Sequence, residues 1–274
     1  MDRRSYLISV FDDTLRCIID SNEWLLAQKK SIAGQRLILA SEPLGVPEPA
    51  YDVKAKVVVT RNRSFEVARQ YAGQRVCVLN FASATNPGGG VANGSSAQEE
   101  CLCRCSTLYN CLNTRAMWDG FYSPHRHSGN PLHNDDIIFT PDVLVIKDDD
   151  YHMLPEPFAV DVITCAAPNM CERPRNPYNP GDRDAVDISP QELFHLHIER
   201  ARRILNVAAM NHADVVILGA FGCGAFRNDP QIVARAYDCV LRDYLRHFRT
   251  IEFAVYCRLG DDTNYRVFKT NITC

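Results

Sequence analysis

Asn80-Phe81-Ala82-Ser83-Ala84-Thr85-Asn86-Pro87-Gly88-Gly89-Gly90, then Val91 to Ala97, then Gln98-Glu99-Glu100, is the stretch around which the chain is organised. Before it, Arg75-Val76-Cys77-Val78-Leu79 is a short apolar run of strand character. After it, Cys101, Cys105, Leu108 and Leu112 recur at helical spacing, which predicts one amphipathic helix with a single apolar stripe. The order is strand, glycine-rich loop, helix, with two adjacent carboxylates in the first turns of the helix. Three consecutive glycines let the backbone approach a ligand closely and point N–H groups at it. The helix N-terminus adds partial positive charge where an anion would sit. A carboxyl beside such a loop suggests proton transfer to or from a phosphate-bearing molecule.

Composition narrows the field. A chain of 274 residues, 46% hydrophobic and 23% charged, has enough apolar material for a sizeable core in one large domain or two small ones. A net charge of −3 and a pI of about 6.2 lack the basic footprint of a nucleic-acid binder, so no direct DNA binding is expected. No apolar run is long enough to span a bilayer, and Met1-Asp2-Arg3-Arg4-Ser5 is not followed by a signal-peptide core. The expectation is a cytoplasmic, monomeric protein with no membrane association. Cys77, Cys165, Cys223, Cys239 and Cys257, among twelve cysteines, lie in apolar runs or glycine turns and read as reduced core residues rather than disulfides.

Residues 1–50 read as a helix-rich accessory segment packed on a main domain of residues 51–274. Ile8, Phe11, Leu15, Ile18 and Ile19 sit at helical spacing, and Trp24 and Leu25 begin a second helix. Pro43, Pro47 and Pro49 then break any element, as a linker or an arm laid across the main domain. Strands follow at 56–60, 76–79, 137–139, 143–146, 159–164, 214–218 and 251–256. Ser64 is placed to cap a helix running to about Tyr71. Ser189-Pro190-Gln191-Glu192 is a capping box with proline at the first helical position, and Asp229-Pro230 starts another helix. Residues 168–188 form a long Pro/Asn/Arg-rich loop, of a length that is often functional inside a compact domain. The alternation of strands and helices predicts an α/β fold with the sheet covered on both faces.

A second strand–glycine loop–helix unit occupies 214–246, with Gly219-x-x-Gly222-x-Gly224 at its turn. Neither loop is a P-loop or a dinucleotide fingerprint. Two such loops at the carboxyl ends of strands fit a diphosphate gripped from both sides. Ser96-x-x-Glu99 is itself a capping box, which gives Glu99 a structural role compatible with a second one toward ligand. Glu100 lies about a quarter-turn from Cys101 and Cys105, at the edge of the buried face, where desolvation would raise its pKa toward that of a general acid. Cys101-x-Cys103-x-Cys105 and the group His125, His127 and His133 lack convincing metal geometry, so neither a metal nor a cofactor is expected.

The run Asn80 to Ala84, Pro87-Gly88-Gly89-Gly90 and, seven residues on, Gln98-Glu99-Glu100 resembles the signature of bacterial-type poly(ADP-ribose) glycohydrolases, a catalytic branch of the macrodomain fold. The similarity continues through Ala166-Ala167-Pro168-Asn169 and Leu218 to Pro230, covering about residues 55–270 and more loosely the N-terminal arm. It implies a macrodomain-like three-layer α/β/α sandwich with a mixed sheet and an N-terminal helical extension. It also implies hydrolysis of ribose–ribose O-glycosidic bonds in poly(ADP-ribose) carried on modified proteins, releasing ADP-ribose. A mono-ADP-ribosyl hydrolase or a non-catalytic ADP-ribose-binding macrodomain is the alternative. By this resemblance Glu100 would be the general acid/base, Glu99 would hold the terminal ribose hydroxyls, and Gln98 would support the pair. Asn80 and Ser83 belong to the same ligand-binding run. Gly88, Gly89, Gly90 and Val91 would line the ribose and phosphate. Gly222, Cys223, Gly224 and Ala225 would donate N–H groups to the diphosphate, and Phe226 would pack against the distal ribose. Phe121, Tyr122 and Tyr256 are the candidates to sandwich adenine.

Overall fold

The structure, a computed structural model, describes residues 2–177 and 179–274; Met1, and Tyr178 within the long 168–188 loop, lie outside the described residues. Two helices open the chain: α1 (Arg3–Asp20), capped by the Asp2 carboxylate, and α2 (Asn22–Ala33), capped by the Ser21 hydroxyl. β1 (Arg36–Ile38), β2 (Lys56–Thr60), α3 (Ser64–Arg69) and β3 (Val76–Phe81) follow. Then come α4 (Gln98–Cys105), α5 (Leu108–Leu112), α6 (Arg115–Met117) and α7 (Ser123–Ser128). β4 (Ile137–Lys147), β5 (Met153–Cys165), α8 (Pro190–Met210), β6 (Val215–Leu218), α9 (Pro230–Tyr244), β7 (Thr250–Ala254) and α10 (Thr263–Asn271) complete the chain.

Seven strands form one mixed sheet in the order β1-β4-β5-β3-β6-β7-β2. β5, β3, β6, β7 and β2 run parallel, while β4 is antiparallel to β5 and β1 to β4. The period-two pattern of the central strands explains the layers. Val76 and Val78 pack on one side with Phe65 and Val67 of α3 and Leu102, Cys103 and Cys105 of α4. Cys77 and Leu79 pack on the other with Ile204 and Leu205 of α8 and Val233, Tyr237 and Val240 of α9. Both faces of β3 are therefore dry, and each such buried Val or Leu side chain contributes about 1.5–3 kcal/mol relative to exposure. This is the expected α/β/α sandwich with a mixed sheet. Among the described residues no helix is long and apolar enough to cross a membrane.

Several local expectations change. The buried stripe of α1 is Leu7, Val10, Phe11, Thr14 and Ile18, whereas Ile19 is exposed. A polar anchor selects this face: the Thr14 hydroxyl donates to the Arg104 carbonyl at 2.6 Å, and the buried Lys147 ammonium donates to Thr14 Oγ1, Asp13 and the Val10 carbonyl. The helix after the first glycine loop is two helices, because Ser106 takes extended geometry and bridges to Val145 of β4. The strands expected at 137–139 and 143–146 are one strand, bent where Pro141 and Asp142 interrupt the pairing with β5. Proline cannot donate to a ladder and is tolerated at such an irregularity, and Asp142 there takes a φ of 52°. Ser64 is the first residue of α3 and not its cap; its hydroxyl accepts from Gln98 Nε2 instead. All twelve cysteines are free, with Cys77 and Cys165 buried, but Cys239 is exposed and not part of the core.

Candidate active site

The two glycine loops leave the carboxyl ends of neighbouring parallel strands, β3 and β6, and the Ala166–Asn169 segment leaves β5 on the other side of β3. Phe81 at the end of β3 and Phe221 in the second loop meet edge to face, 5.7 Å between ring centroids. The sheet thus brings together the three stretches that the sequence singled out.

In the first loop Gly88 and Gly89 have φ of 67° and 56°, the left-handed region that favours glycine. Space demands the same residue: a Cβ on Gly89 would stand 2.6 Å from Glu100 Oε1 and 3.1 Å from Glu99 Oε2. A Cβ on Gly88 would stand 2.8 Å from the Tyr109 ring. The N–H groups of this loop do not point outward as expected, because the protein uses them internally. Gly90 N–H donates to Glu100 Oε1 at 2.9 Å, Gly89 N–H to the Asn86 carbonyl, and Val91 N–H to the Gly88 carbonyl. Asn86 Nδ2 in turn donates to the Gly89 carbonyl. The loop is a wall built against two carboxylates.

Those carboxylates are buried, Glu99 at 3% exposure and Glu100 at 7%. Glu99 Oε2 accepts from the Ser83 N–H at 2.7 Å, with Asn80 Nδ2 3.4 Å from Oε1. The capping box expected between Ser96 and Glu99 is absent: Ala97 is the N-cap residue and its side chain can offer no cap, while the Glu99 carboxylate turns inward to the end of β3. Burial, and then the neighbouring Glu100 charge, push Glu99 well above the usual carboxylate range, although hydrogen bonds from Ser83, Asn80 and Gly88 oppose the shift. Glu100 is distinguished by geometry instead. Its Oε2 is buried with no hydrogen-bond partner among the described residues, as are Asn80 Oδ1 and the Tyr122 hydroxyl. Orphaned buried oxygens are rare and call for an explanation. Gln98 ties the pair to the sheet, since its Oε1 accepts from Phe81 N–H at 2.9 Å and its Nε2 donates to the Leu79 carbonyl at 2.8 Å.

The second loop is built differently. Gly222, with φ of 74°, lies where a Cβ would meet Ala167 Cβ and Asn228 Nδ2 at 2.6 Å each. Asn228 is the loop's internal brace: its Nδ2 donates to the carbonyls of Pro168 and Gly222 at 2.7 and 3.1 Å, and its Oδ1 accepts from His197 Nε2 at 2.9 Å. Burial pushes His197 down to about 4, so the imidazole is neutral at physiological pH. The carbonyls are thus occupied, whereas the N–H groups of Gly224, Ala225 and Phe226 donate to no acceptor among the described residues. Gly224 and Ala225 are exposed, and Cys223 and Phe226 are half-buried.

The long loop closes over the first one through residues that no spacing rule could reveal. Ser83 Oγ donates to Asn179 Oδ1 at 2.9 Å, and Gly181 packs against Thr85 and Arg126. Arg126 Nε donates to the Thr85 carbonyl at 2.6 Å while the guanidinium stacks on Trp118. Deeper in, His133 bridges the Ala167 carbonyl and Asp182 at 2.8 and 3.0 Å, and Asn169 Nδ2 donates to the second Asp182 oxygen at 2.8 Å. The only hint of this network in the sequence is the density of Asn, Asp and Arg in a loop too long to be idle. Phe121 and Tyr122 are fully buried, whereas Tyr256, beyond the end of β7, is 52% exposed with the Arg63 guanidinium 4.5 Å from its ring centroid. The groups of three or more His, Cys, Asp or Glu side chains that a metal ion would need are absent among the described residues.

A family model described as the catalytic domain of microbial-type poly(ADP-ribose) glycohydrolase (PARG) matches residues 20–148. No curated protein matches. Among solved structures, the poly(ADP-ribose) glycohydrolase of Thermomonospora curvata superposes with a TM-score of 0.85 at 28% identity, covering 98% of this chain and all of that one. The same protein bound to the inhibitor ADP-HPD superposes at 0.82 with 27% identity, over 97% and 99% of the two chains. The Deinococcus radiodurans poly(ADP-ribose) glycohydrolase in complex with ADP-ribose is 31% identical, with a TM-score of 0.74 over 89% of this chain and 96% of that one. With its glycine-walled carboxylate pair, its macrodomain-like sheet and this likeness over nearly its whole length, the chain belongs to the microbial-type poly(ADP-ribose) glycohydrolase family.

Proposed function

We propose that the protein hydrolyses the ribose–ribose O-glycosidic bonds of poly(ADP-ribose), with Glu100 as the general acid/base. The observation that carries this reading is the unequal treatment of the Glu100 oxygens: Gly90 N–H holds Oε1, and Oε2 is buried without a partner among the described residues, behind a glycine wall. Glu100 protonates the departing 2′-oxygen of the preceding ribose as the glycosidic bond breaks. The oxocarbenium-like carbon then takes a water, which the same carboxylate deprotonates. A conventional glycosidase pair faces its substrate from two sides, but adjacent helical residues diverge by about 100° and cannot. Glu99, pinned by Ser83 and Asn80, is suited to hold ribose hydroxyls.

The binding half of the site is the second loop, whose free N–H groups at Gly224, Ala225 and Phe226 suit the diphosphate. Tyr256 is the accessible aromatic for adenine. The N-terminal segment acts as a brace. Arg4 Nε donates to the Asn93 carbonyl at 2.7 Å, and the Arg4 backbone packs so closely on Gly94 that a Cβ there would stand 2.6 Å from its carbonyl oxygen. The deciding experiment incubates wild-type and Glu100→Gln protein with poly- and mono-ADP-ribosylated protein and identifies the products. ADP-ribose released from polymer by the wild type alone is the expected result. Release from mono-adducts only, or tight ADP-ribose binding without product from either, overturns it in favour of a mono-ADP-ribosyl hydrolase or a binding module.

A further inference from the structure

Behind the glycine-walled site one interior charge has no counterion. Arg104 of α4 is fully buried, yet no carboxylate among the described residues reaches it. Its Nε donates to the Tyr151 hydroxyl at 3.3 Å, its Nη2 lies 3.8 Å from Cys101 Sγ, and its guanidinium stands 5.5 Å from the Tyr151 ring centroid. Nη1 is buried with no partner at all among the described residues. A buried cation normally sits beside an anion, because removing it from water uncompensated is costly. The groups its donors reach are the Cys101 sulfur and the Tyr151 oxygen. Burial disfavours the Arg104 charge, but Tyr151 and Cys101 more than offset this and hold the guanidinium above its ordinary range.

The cluster is assembled from separate elements. Tyr151 sits in the β4–β5 turn with a φ of 71°, a conformation a bulky residue adopts only when its surroundings impose it. Its hydroxyl is 3.7 Å from Cys101 Sγ, which also lies 3.8 Å from the Ser96 carbonyl. Cys103 and Cys105 on the same helix are sealed in the core, whereas Cys101 keeps contact with solvent. An accessible sulfur therefore adjoins a buried guanidinium that has one donor to spare.

We propose that Cys101 is a site of two-electron oxidation by peroxide, its added oxygen accepting a hydrogen bond from the Arg104 guanidinium, whose Nη2 already lies 3.8 Å from the sulfur. In the reaction the sulfur, as thiolate, attacks one peroxide oxygen; an S–O bond forms as the O–O bond breaks. The sulfur loses two electrons, the second oxygen leaves as water, and one thiol plus one hydrogen peroxide give one sulfenic acid plus one water. The guanidinium compensates the charge on sulfur during attack and then anchors the product oxygen.

The test treats intact wild-type protein with hydrogen peroxide and dimedone and follows the adduct on each cysteine-containing peptide by mass spectrometry. Cys239 and Cys274 are more exposed than Cys101 and serve as internal references. Cys101 should acquire the adduct about tenfold faster than either; labelling that simply follows exposure, with Cys239 and Cys274 first, overturns the proposal. Arg104→Lys keeps the charge but not the fork of donors, and should bring Cys101 down to the rate of Cys239. An unchanged rate in a folded Arg104→Lys protein overturns the proposal, and if that variant does not fold, the wild-type ranking decides alone. The readout is a peptide mass, so it is independent of whether the protein hydrolyses poly(ADP-ribose).

Discussion

The two glycine loops look alike as strings of letters and are opposites as structures. In the first, the backbone N–H groups turn inward and hold the protein's own carboxylates and carbonyls. In the second, a buried asparagine donates to the Gly222 carbonyl, and the consecutive N–H groups of Gly224, Ala225 and Phe226 donate to no acceptor among the described residues. One loop is a mould around acids; the other, in the function proposed above, is the receptor for the diphosphate. Glycine serves the first by having no side chain to collide with Glu100, and serves the second by letting the backbone turn at Gly222. The same residue type therefore predicts different consequences on substitution.

The sharpest division comes from Glu100→Gln. It should cost about 10²–10⁴-fold in turnover on polymer, the usual range for a general acid/base. ADP-ribose affinity by titration calorimetry should stay within about threefold, since the receptor loop is untouched; a comparable loss of affinity would merge the two roles.

A pH experiment addresses the receptor loop through His197. Its folded pKa lies near 4 and its unfolded value near 6.5. Between those values the unfolded chain binds more protons, so stability is full above about pH 6.5 and declines as pH falls toward 4, by up to about 3 kcal/mol. Thermal melts across this window should show the decline in wild type and a flatter profile in His197→Gln. Parallel profiles would mean that Asn228 does not depend on a neutral imidazole.

Two glycine substitutions complete the comparison. Gly89→Ala forces a left-handed alanine and a Cβ at 2.6 Å from Glu100 Oε1. It should lower stability by about 1–3 kcal/mol in denaturant titrations and remove activity even where the protein remains folded. Gly224→Ala meets nothing within 4 Å and requires no positive φ, so its stability should change by less than about 0.5 kcal/mol. A large destabilisation there would show that the receptor loop is as tightly moulded as the other.

Legibility in the sequence follows how local each feature is. The Ser189–Glu192 capping box and the Asp229 cap are read within four residues, and both form as expected. The central strands carry their own apolar patterns and appear where the patterns stand. Ser96 and Glu99 satisfied the same local rule and failed it, because a buried N–H at Ser83 competes for the carboxylate from across the sheet end. β1 escaped notice because three residues between a helix and a proline-rich stretch carry too little pattern, and only pairing with β4 makes them a strand. The glycine loop and its carboxylate pair were legible as one unit, but the inward direction of the loop's N–H groups depends on where the next helix folds back.

Strand order also constrains how the protein can be made. β2 is synthesised early, yet its one neighbour in the sheet is β7, which pairs Thr250 with Lys56. On the ribosome the early strand must wait, unpaired, until nearly the entire chain has emerged, and such non-local parallel pairing is intrinsically slow. The first glycine loop leaves β3, which itself needs both β5 and β6. A nascent chain stalled before residue 215 would carry every carboxylate of the mould with one side of β3 still open. Activity should thus arise late and abruptly during translation, and partial products should be targets for chaperones rather than slow enzymes.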